Sequence, residues 1–250
     1  MRDDLGALVP LSDAPVRVVS LVPSLTEALA VTCPHLLAAA TDWCTHSAGL
    51  DVPRVRGTKN PDLDAIAALQ PDLVIANKEE NRELDVERLR GRGIPVWVTD
   101  NVDVPSALAS MRRLFAVLTP EVTPQWLEEA ERLWAQPPPR PPRRVAVPIW
   151  RDPWMVVGGA TYTDDVLARL GLVNVFADWP RYPHVELAEI DRPDLDLVLL
   201  PDEPYVFTPT DGPEAFAHVP TALVSGRLLT WYGPAMVEAW RVYAETTVLG

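Results

Sequence analysis

Short apolar runs alternate along the chain with segments of helical spacing. Val16–Val22, Leu73–Ala76, Pro95–Val98, Val145–Ile149 and Leu195–Leu200 are rich in Val, Leu and Ile and lack polar alternation, the pattern of strands buried on both faces of a parallel sheet. Between and after them the spacing predicts helices over about Ser24–Val31, Leu63–Leu69, Arg82–Arg90, Val104–Leu118, Pro124–Gln136, Thr163–Leu170 and Pro234–Val248, and the short run Arg227–Thr230 before the last of these reads as one more strand. This alternation predicts the α/β class.

The stretch Leu63-Asp-Ala-Ile-Ala-Ala-Leu-Gln-Pro-Asp-Leu-Val-Ile-Ala is echoed by Leu187-Ala-Glu-Ile-Asp-Arg-Pro-Asp-Leu-Asp-Leu-Val-Leu-Leu. Each reads as a short helix, a Pro-Asp stop and a buried strand that runs into a polar stretch, so two similar lobes are expected. The helix at Pro124–Gln136 carries Trp126, Leu127, Ala130, Leu133 and Trp134 on one apolar stripe and is followed by the proline-rich 137–142. A stiff connector is the expectation there, ahead of a proline-rich recognition ligand. The expected division is an N-terminal lobe at 1–118, a connecting helix and linker at 119–142 and a C-terminal lobe at 143–250.

Composition narrows the partners. A formal charge of −13 argues against a nucleic-acid backbone, which needs clustered Lys and Arg; Arg140 with Arg143 and Arg144 reads as a solvated linker. The 27 prolines mostly stand at element boundaries, as at Pro15, Pro23, Pro53, Pro61, Pro71 and Pro95, where a fixed φ and a missing N–H do least harm. Cys33 and Cys44 could form one disulfide or remain thiols. No run reaches the ~20 apolar residues needed to cross a bilayer. The opening Met-Arg-Asp-Asp-Leu-Gly lacks a basic region followed by an uninterrupted apolar core, which predicts no export and a cytoplasmic location, with a periplasmic or cell-surface one if the true start lies upstream.

Several constellations invite chemistry. Ser24-Leu-Thr-Glu27 reads equally as a capping box and as a helix N-terminus offering donors to a ligand. Asp42-Trp-Cys-Thr-His46 places Cys44 near His46; a metal pair lacks its second half and a thiol dyad lacks a third group, so structural or cleft-lining roles lead. Gly-x-Gly-x-x-Gly, P-loop, His-Glu-x-x-His and Gly-x-Ser-x-Gly patterns do not occur, which removes support for nucleotide cofactors and common hydrolase chemistry; Gly158-Gly159 lacks a third glycine. Aromatic residues gather near predicted strand ends at Trp43, Trp150, Trp154, Tyr162, Tyr182, Tyr205 and Trp231-Tyr232, where sites usually sit.

Arg17-Val-Val-Ser-Leu-Val-Pro-Ser-Leu-Thr-Glu27, Gly57-Thr-Lys-Asn-Pro-Asp-Leu-Asp64, Gln70-Pro-Asp-Leu-Val-Ile75 and Asn174-Val-Phe176 resemble the substrate-binding components of ABC importers for cobalamin, haem and iron-siderophores. The resemblance runs from about Arg17 to the C-terminus. Trp150-Arg-Asp-Pro-Trp154 and Trp231-Tyr-Gly-Pro234 look like a cobalamin-binding subgroup. It implies two Rossmann-like lobes joined by a single connecting helix, with the ligand held between them. It also implies ligand contacts at Pro23, Ser24, Trp43, Gly57, Thr58, Asn77 and Lys78 in the first lobe, and at Trp150, Arg151, Trp154, Tyr182 and Trp231 in the second. Glu83 matches the acid that docks such a lobe onto its permease.

The resulting expectation is a non-catalytic binding protein for a cobalamin-like corrinoid or related metal chelate, working inside the cell. It has no intrinsic cofactor, no metal ligands and no catalytic residues, but carries a bound corrinoid or haem and meets an ABC permease. The alternatives are an importer subunit exported by an unrecognised route and a small enzyme using Cys44 and His46.

Overall fold

Two parallel four-stranded sheets organise the chain, each built the same way. The computed structural model describes every residue except 12, 47, 48, 137, 139, 140 and 245–250, so Arg140, part of the proline-rich 137–142 and the end of the helix expected to Val248 lie outside the described residues.

In the first half, β1 (Val18–Ser20) leads into α1 (Pro23–Thr32), and β2 (Leu37–Ala40) follows. A small antiparallel hairpin, β3 (Arg56–Gly57) with β4 (Asn60–Pro61), precedes α2 (Leu63–Ala68), β5 (Leu73–Asn77), α3 (Glu83–Gly91), β6 (Val96–Thr99) and α4 (Val104–Leu118). Every strand pair in the sheet is parallel and the order is β2-β1-β5-β6. β1, β5 and β6 are buried throughout, as strands covered by helices on both faces must be. Val19, Leu21, Ile66, Val74, Ala76, Val86, Leu89, Val96 and Val98 form the core beneath α2 and α3. Asp62 starts α2 by accepting the Ala65 N–H at 3.0 Å, a side-chain cap for a donor that has no helical partner.

After α5 (Gln125–Leu133) the pattern repeats. β7 (Arg143–Ala146), the hairpin of β8 (Pro148–Trp150) with β9 (Met155–Val156), α6 (Tyr162–Arg169), β10 (Leu172–Asn174), α7 (Leu187–Ile190), β11 (Leu197–Pro201), β12 (Thr221–Val224), α8 (Gly226–Thr230) and α9 (Ala235–Ala244) follow in order. The parallel sheet runs β10-β7-β11-β12. Counting only sheet strands along the chain, both sheets have the order second, first, third, fourth. The echoed sequences are α2–β5 and α7–β11, which fill matching places in the two sheets.

The chain folds into two compact units: Met1–Asn101 with Ser106–Glu129 and Tyr232–Pro234, and Val102–Pro105 with Ala130–Trp231 and Ala235–Gly250. The passage from one to the other falls inside α5, and a three-residue segment after α8 returns to the first unit. No helix among the described residues is long and apolar enough to cross a membrane.

Two local expectations are corrected. The Ser24–Glu27 capping box does not form: the N-cap is Val22, without a side-chain cap, and Pro23 takes the first helical turn. Proline's fixed φ and missing N–H suit that position, which places Ser24 inside the helix. Arg227–Thr230, which reads from its apolar run as a strand, is helical. Gly226 allows this, because any Cβ there would meet the Glu203 backbone oxygen at 2.6 Å.

Candidate functional site

In a parallel sheet all strands end on one edge, and the loops leaving that edge are the usual place for a ligand. In the first unit this edge carries Pro23 and Ser24 at the start of α1, Trp43 after β2, and Asn77 and Lys78 at the end of β5; the β3–β4 hairpin adds Gly57 and Thr58. Trp43 is 66% exposed. Its indole lies over Gly57, where a Cβ would come within 3.1 Å of Trp43 Nε1 and 2.5 Å of Asn60 Oδ1. Glycine is required there by close approach.

Asn77 is buried, and its amide is committed to the fold. Nδ2 donates to Thr99 O (3.2 Å) and Oγ1 (3.1 Å), while Oδ1 accepts the Glu79 and Glu80 N–H groups at 2.8 and 3.2 Å. Asn81 continues the network, accepting the Asn77 N–H and donating to Thr58 O at 2.9 Å. These bonds fix the polar turn after β5. Lys78 is exposed and paired with Asp100 at 2.7 Å.

Tyr232, which neighbours the expected contact Trp231 but is not itself an expected ligand contact, belongs to this edge. Tyr232 is buried in the first unit, and its hydroxyl donates to Glu80 Oε1 at 3.4 Å. Burial pushes that hydroxyl well above its ordinary pKa and the Glu80 charge adds to the rise, against the smaller opposing influence of the neighbouring Ser24, Thr99 and Asn101 side chains. The buried Ser24 thus belongs to a polar cluster under Tyr232.

Cys33 and Cys44 are both free thiols, so the disulfide does not form. Burial pushes Cys33 up to about 11. The Cys44 Sγ sits 3.0 Å from Thr26 Oγ1 and 3.1 Å from Thr41 Oγ1, and Arg54 donates to the Thr41 and Cys44 carbonyls at 2.9 and 3.1 Å. This niche holds the turn that presents Trp43, whereas His46 is exposed. Among the described residues no group of three His, Cys, Asp or Glu side chains is placed to hold a metal.

In the second unit the β8–β9 hairpin turns through a cis Asp152–Pro153 bond. Trp150 is 45% exposed and meets Tyr205 edge-on at 5.5 Å between centroids. Trp154 faces the other way: it stacks on Phe207 at 6.1 Å, meets Phe216 at 5.6 Å and is only 9% exposed within the core. Arg151 lies 5.3 Å over the Trp154 ring, with Nη1 donating to Asp211 Oδ1 and, at 2.7 Å, to Glu214 Oε1. The Arg151 hydrogen bond is the main cause that holds the Glu214 carboxyl below its usual range.

Tyr182 is half-buried under the Arg181 guanidinium at 5.8 Å. Trp231, also half-buried, has Arg227 5.8 Å over its ring. Its indole N–H donates to Glu203, whose pKa burial raises and the neighbouring Asp202 charge raises further, against the opposing bonds from Trp231 and Thr230. Gly158 and Gly159 are packing glycines: a side chain on either would collide with the carbonyls of Trp179, Arg181 or Ala177. Glu83, on the first turn of α3, is exposed.

No family model matches the chain. The vitamin B12-binding protein of Salmonella typhimurium strain LT2 is 30% identical over 177 residues, 66% of this chain and 65% of that protein, so the match spans just under two thirds of the relative's length. The periplasmic vitamin B12 binding protein BtuF of Vibrio cholerae superposes with a TM-score of 0.71 at 18% identity, covering 93% of this chain and 97% of the other. The periplasmic heme-binding protein RhuT from Roseiflexus sp. RS-1 superposes with a TM-score of 0.70 at 18% identity, over 92% and 98%. These structures share the fold of this chain, and over the matched part its sequence is similar to that of a vitamin B12-binding protein.

Proposed function

We propose that this protein captures a cobalamin-like corrinoid or related metal chelate without transforming it. The observation that carries the reading is the pair of exposed indoles, Trp43 and Trp150, each standing at the strand-end edge of a parallel sheet in a chain related to a vitamin B12-binding protein. Large flat side chains held by a rigid sheet supply apolar area at little entropic cost. The ligand contacts of this reading are Pro23, Trp43, Gly57, Thr58 and Lys78 from the first unit, and Trp150, Arg151, Tyr182 and Trp231 from the second. Ser24, Asn77 and Trp154 support them from beneath the surface. In this reading residues 1–118 and 143–250 act as lobes and 119–142 connects them.

An enzymatic role for Cys44 has less support, since its buried thiol is engaged by two threonine hydroxyls. Glu83 on α3 is the proposed docking acid for an ABC permease. Periplasmic work, as the solved relatives' names state for those proteins, and a cytoplasmic role are separated by fractionating cells that produce the protein.

Titration with cyanocobalamin and, separately, with haem tests the reading. The expected result is saturable quenching of tryptophan fluorescence by at least one of them at one molecule per chain. Absence of saturable binding to either would overturn it.

A further inference from the structure

The one arginine in the aromatic hairpin is already neutralised. Arg151 stands at the tip of β8–β9 between Trp150 and Trp154, the place from which a guanidinium could clamp a carboxylate on a ligand's rim. Its Nη1 instead donates to both Asp211 and Glu214, and its Nε lies 3.6 Å from Asp152 Oδ2. Asp211 is itself held by the Tyr205 hydroxyl at 2.7 Å, and Glu214 by the Gly212 N–H at 2.5 Å. One cation facing Asp211 and Glu214 leaves a local charge of −1, and Asp152 makes it −2.

Two further cations beside proposed ligand contacts, Lys78 and Arg227, are likewise engaged by acids. Lys78 pairs with Asp100 at 2.7 Å and Arg227 with Glu238 at 2.6 Å. A ligand carboxylate reaching this hairpin would meet net negative charge at short range, where salt screens least. Like charges brought together at a binding surface suppress the wrong partner.

Resting on the capture reading above, we infer that the site selects metal chelates with an uncharged, amide-bearing rim, and that Asp211 and Glu214 exclude chelates bearing carboxylates. Both residues act through Arg151: while they hold the guanidinium, it meets the ligand as a flat stacking surface over Trp154 and not as an anion clamp.

The test compares two corrinoids that differ only in rim charge, cyanocobalamin and its derivative with one side-chain amide hydrolysed to carboxylate, on the wild-type protein and on D211N/E214Q. The wild type is expected to bind the amide form at least tenfold more tightly at low salt, and the double variant, which keeps the shapes but loses two charges, to shrink that ratio at least threefold. Glu214→Gln alone, at a half-exposed position, is expected to move the ratio the same way if the double variant does not fold. Equal affinities on the wild type, or the same ratio in every folded variant, would overturn the inference while leaving corrinoid capture intact. Failure of both corrinoids and of haem to bind any of the proteins would overturn the capture reading and this inference with it.

Discussion

Thr161 Oγ1 accepts the Asp164 N–H at 3.2 Å and donates to Gly158 O at 2.9 Å, tying the first turn of α6 to the glycine pair before it. The run Thr161-Tyr-Thr-Asp-Asp165 itself predicts a helix start near Tyr162 with a cap from Thr161 or Thr163 and acids in the first turn; Thr161 is the cap, and Asp164 and Asp165 stand in that turn. Thr161→Ala is expected to lower stability by about 1–2 kcal/mol, the usual cost of losing a cap. Thr161→Ser should recover most of it. Equal urea midpoints for wild type and Thr161→Ala would rule the cap out.

Asp3 fastens the N-terminal segment to the first sheet. Its carboxylate accepts the Ala7 N–H at 2.8 Å and Arg90 Nη2 at 2.7 Å, and its side chain is fully buried. Asp3→Ala removes one partner of a mostly buried pair and is expected to cost about 3 kcal/mol. Asp3→Asn, which can still accept the backbone N–H, should cost less. Chemical denaturation of the two variants checks the order.

Burial of Asp191 raises its carboxyl pKa, but the N–H groups of Ala217, His218 and Val219 and the His218 ring outweigh that and hold it at about 2. An unfolded Asp titrates near 3.9. A depressed carboxyl contributes stability above the unfolded value and loses it as pH falls through the folded one. Between about pH 4 and 2, wild type is therefore expected to lose more stability than Asp191→Asn. Parallel losses across that window would show that Asp191 does not carry the acid sensitivity of this loop.

Glu83 is exposed at the start of α3. An acid there gains at most about 0.3–1 kcal/mol from the helix dipole, so Glu83→Ala is expected to shift stability by no more than that. If it is the docking acid, the same variant should weaken transport or permease binding while ligand affinity stays at the wild-type value. A large loss of stability would make Glu83 a structural acid.

Much of the fold was legible because its core strands announce themselves. Leu73-Val-Ile-Ala and Val96-Trp-Val run apolar without alternation, and β5 and β6 appear there. β2 was not legible: Leu37-Ala-Ala-Ala is as good a helix sequence as a strand, and only pairing with β1 makes it extended. The wrong strand at Arg227–Thr230 has the same cause in reverse, a short apolar run whose state is set by how Gly226 packs against Glu203. At the site, residue type pointed to the right loops but not to side-chain direction. Asn77 and Trp154 lie on those loops and face inward, and Tyr232, next to the selected Trp231, anchors its segment through Glu80. Whether a loop residue points out or in depends on packing partners distant in sequence, which a linear pattern does not record.

The tryptophans therefore divide into classes that one paired measurement can separate. Trp154 is stacked within a core cluster, so Trp154→Ala is expected to cost roughly 3–5 kcal/mol of stability. Trp43 is exposed, and Trp43→Ala should leave stability within about 0.5 kcal/mol. If its indole forms part of the ligand wall, loss of an aromatic contact worth about 0.5–1.5 kcal/mol weakens chelate binding two- to tenfold. Trp231 lies between these cases: its edge is tied to Glu203 and its face to Arg227, so Trp231→Ala should lower both stability and affinity. Each variant is measured twice, by urea denaturation and by corrinoid titration of the folded protein. A Trp43→Ala protein with wild-type affinity would remove the first unit's exposed indole from the ligand wall, and a Trp231→Ala protein that loses stability alone would place Trp231 with Trp154 in the core.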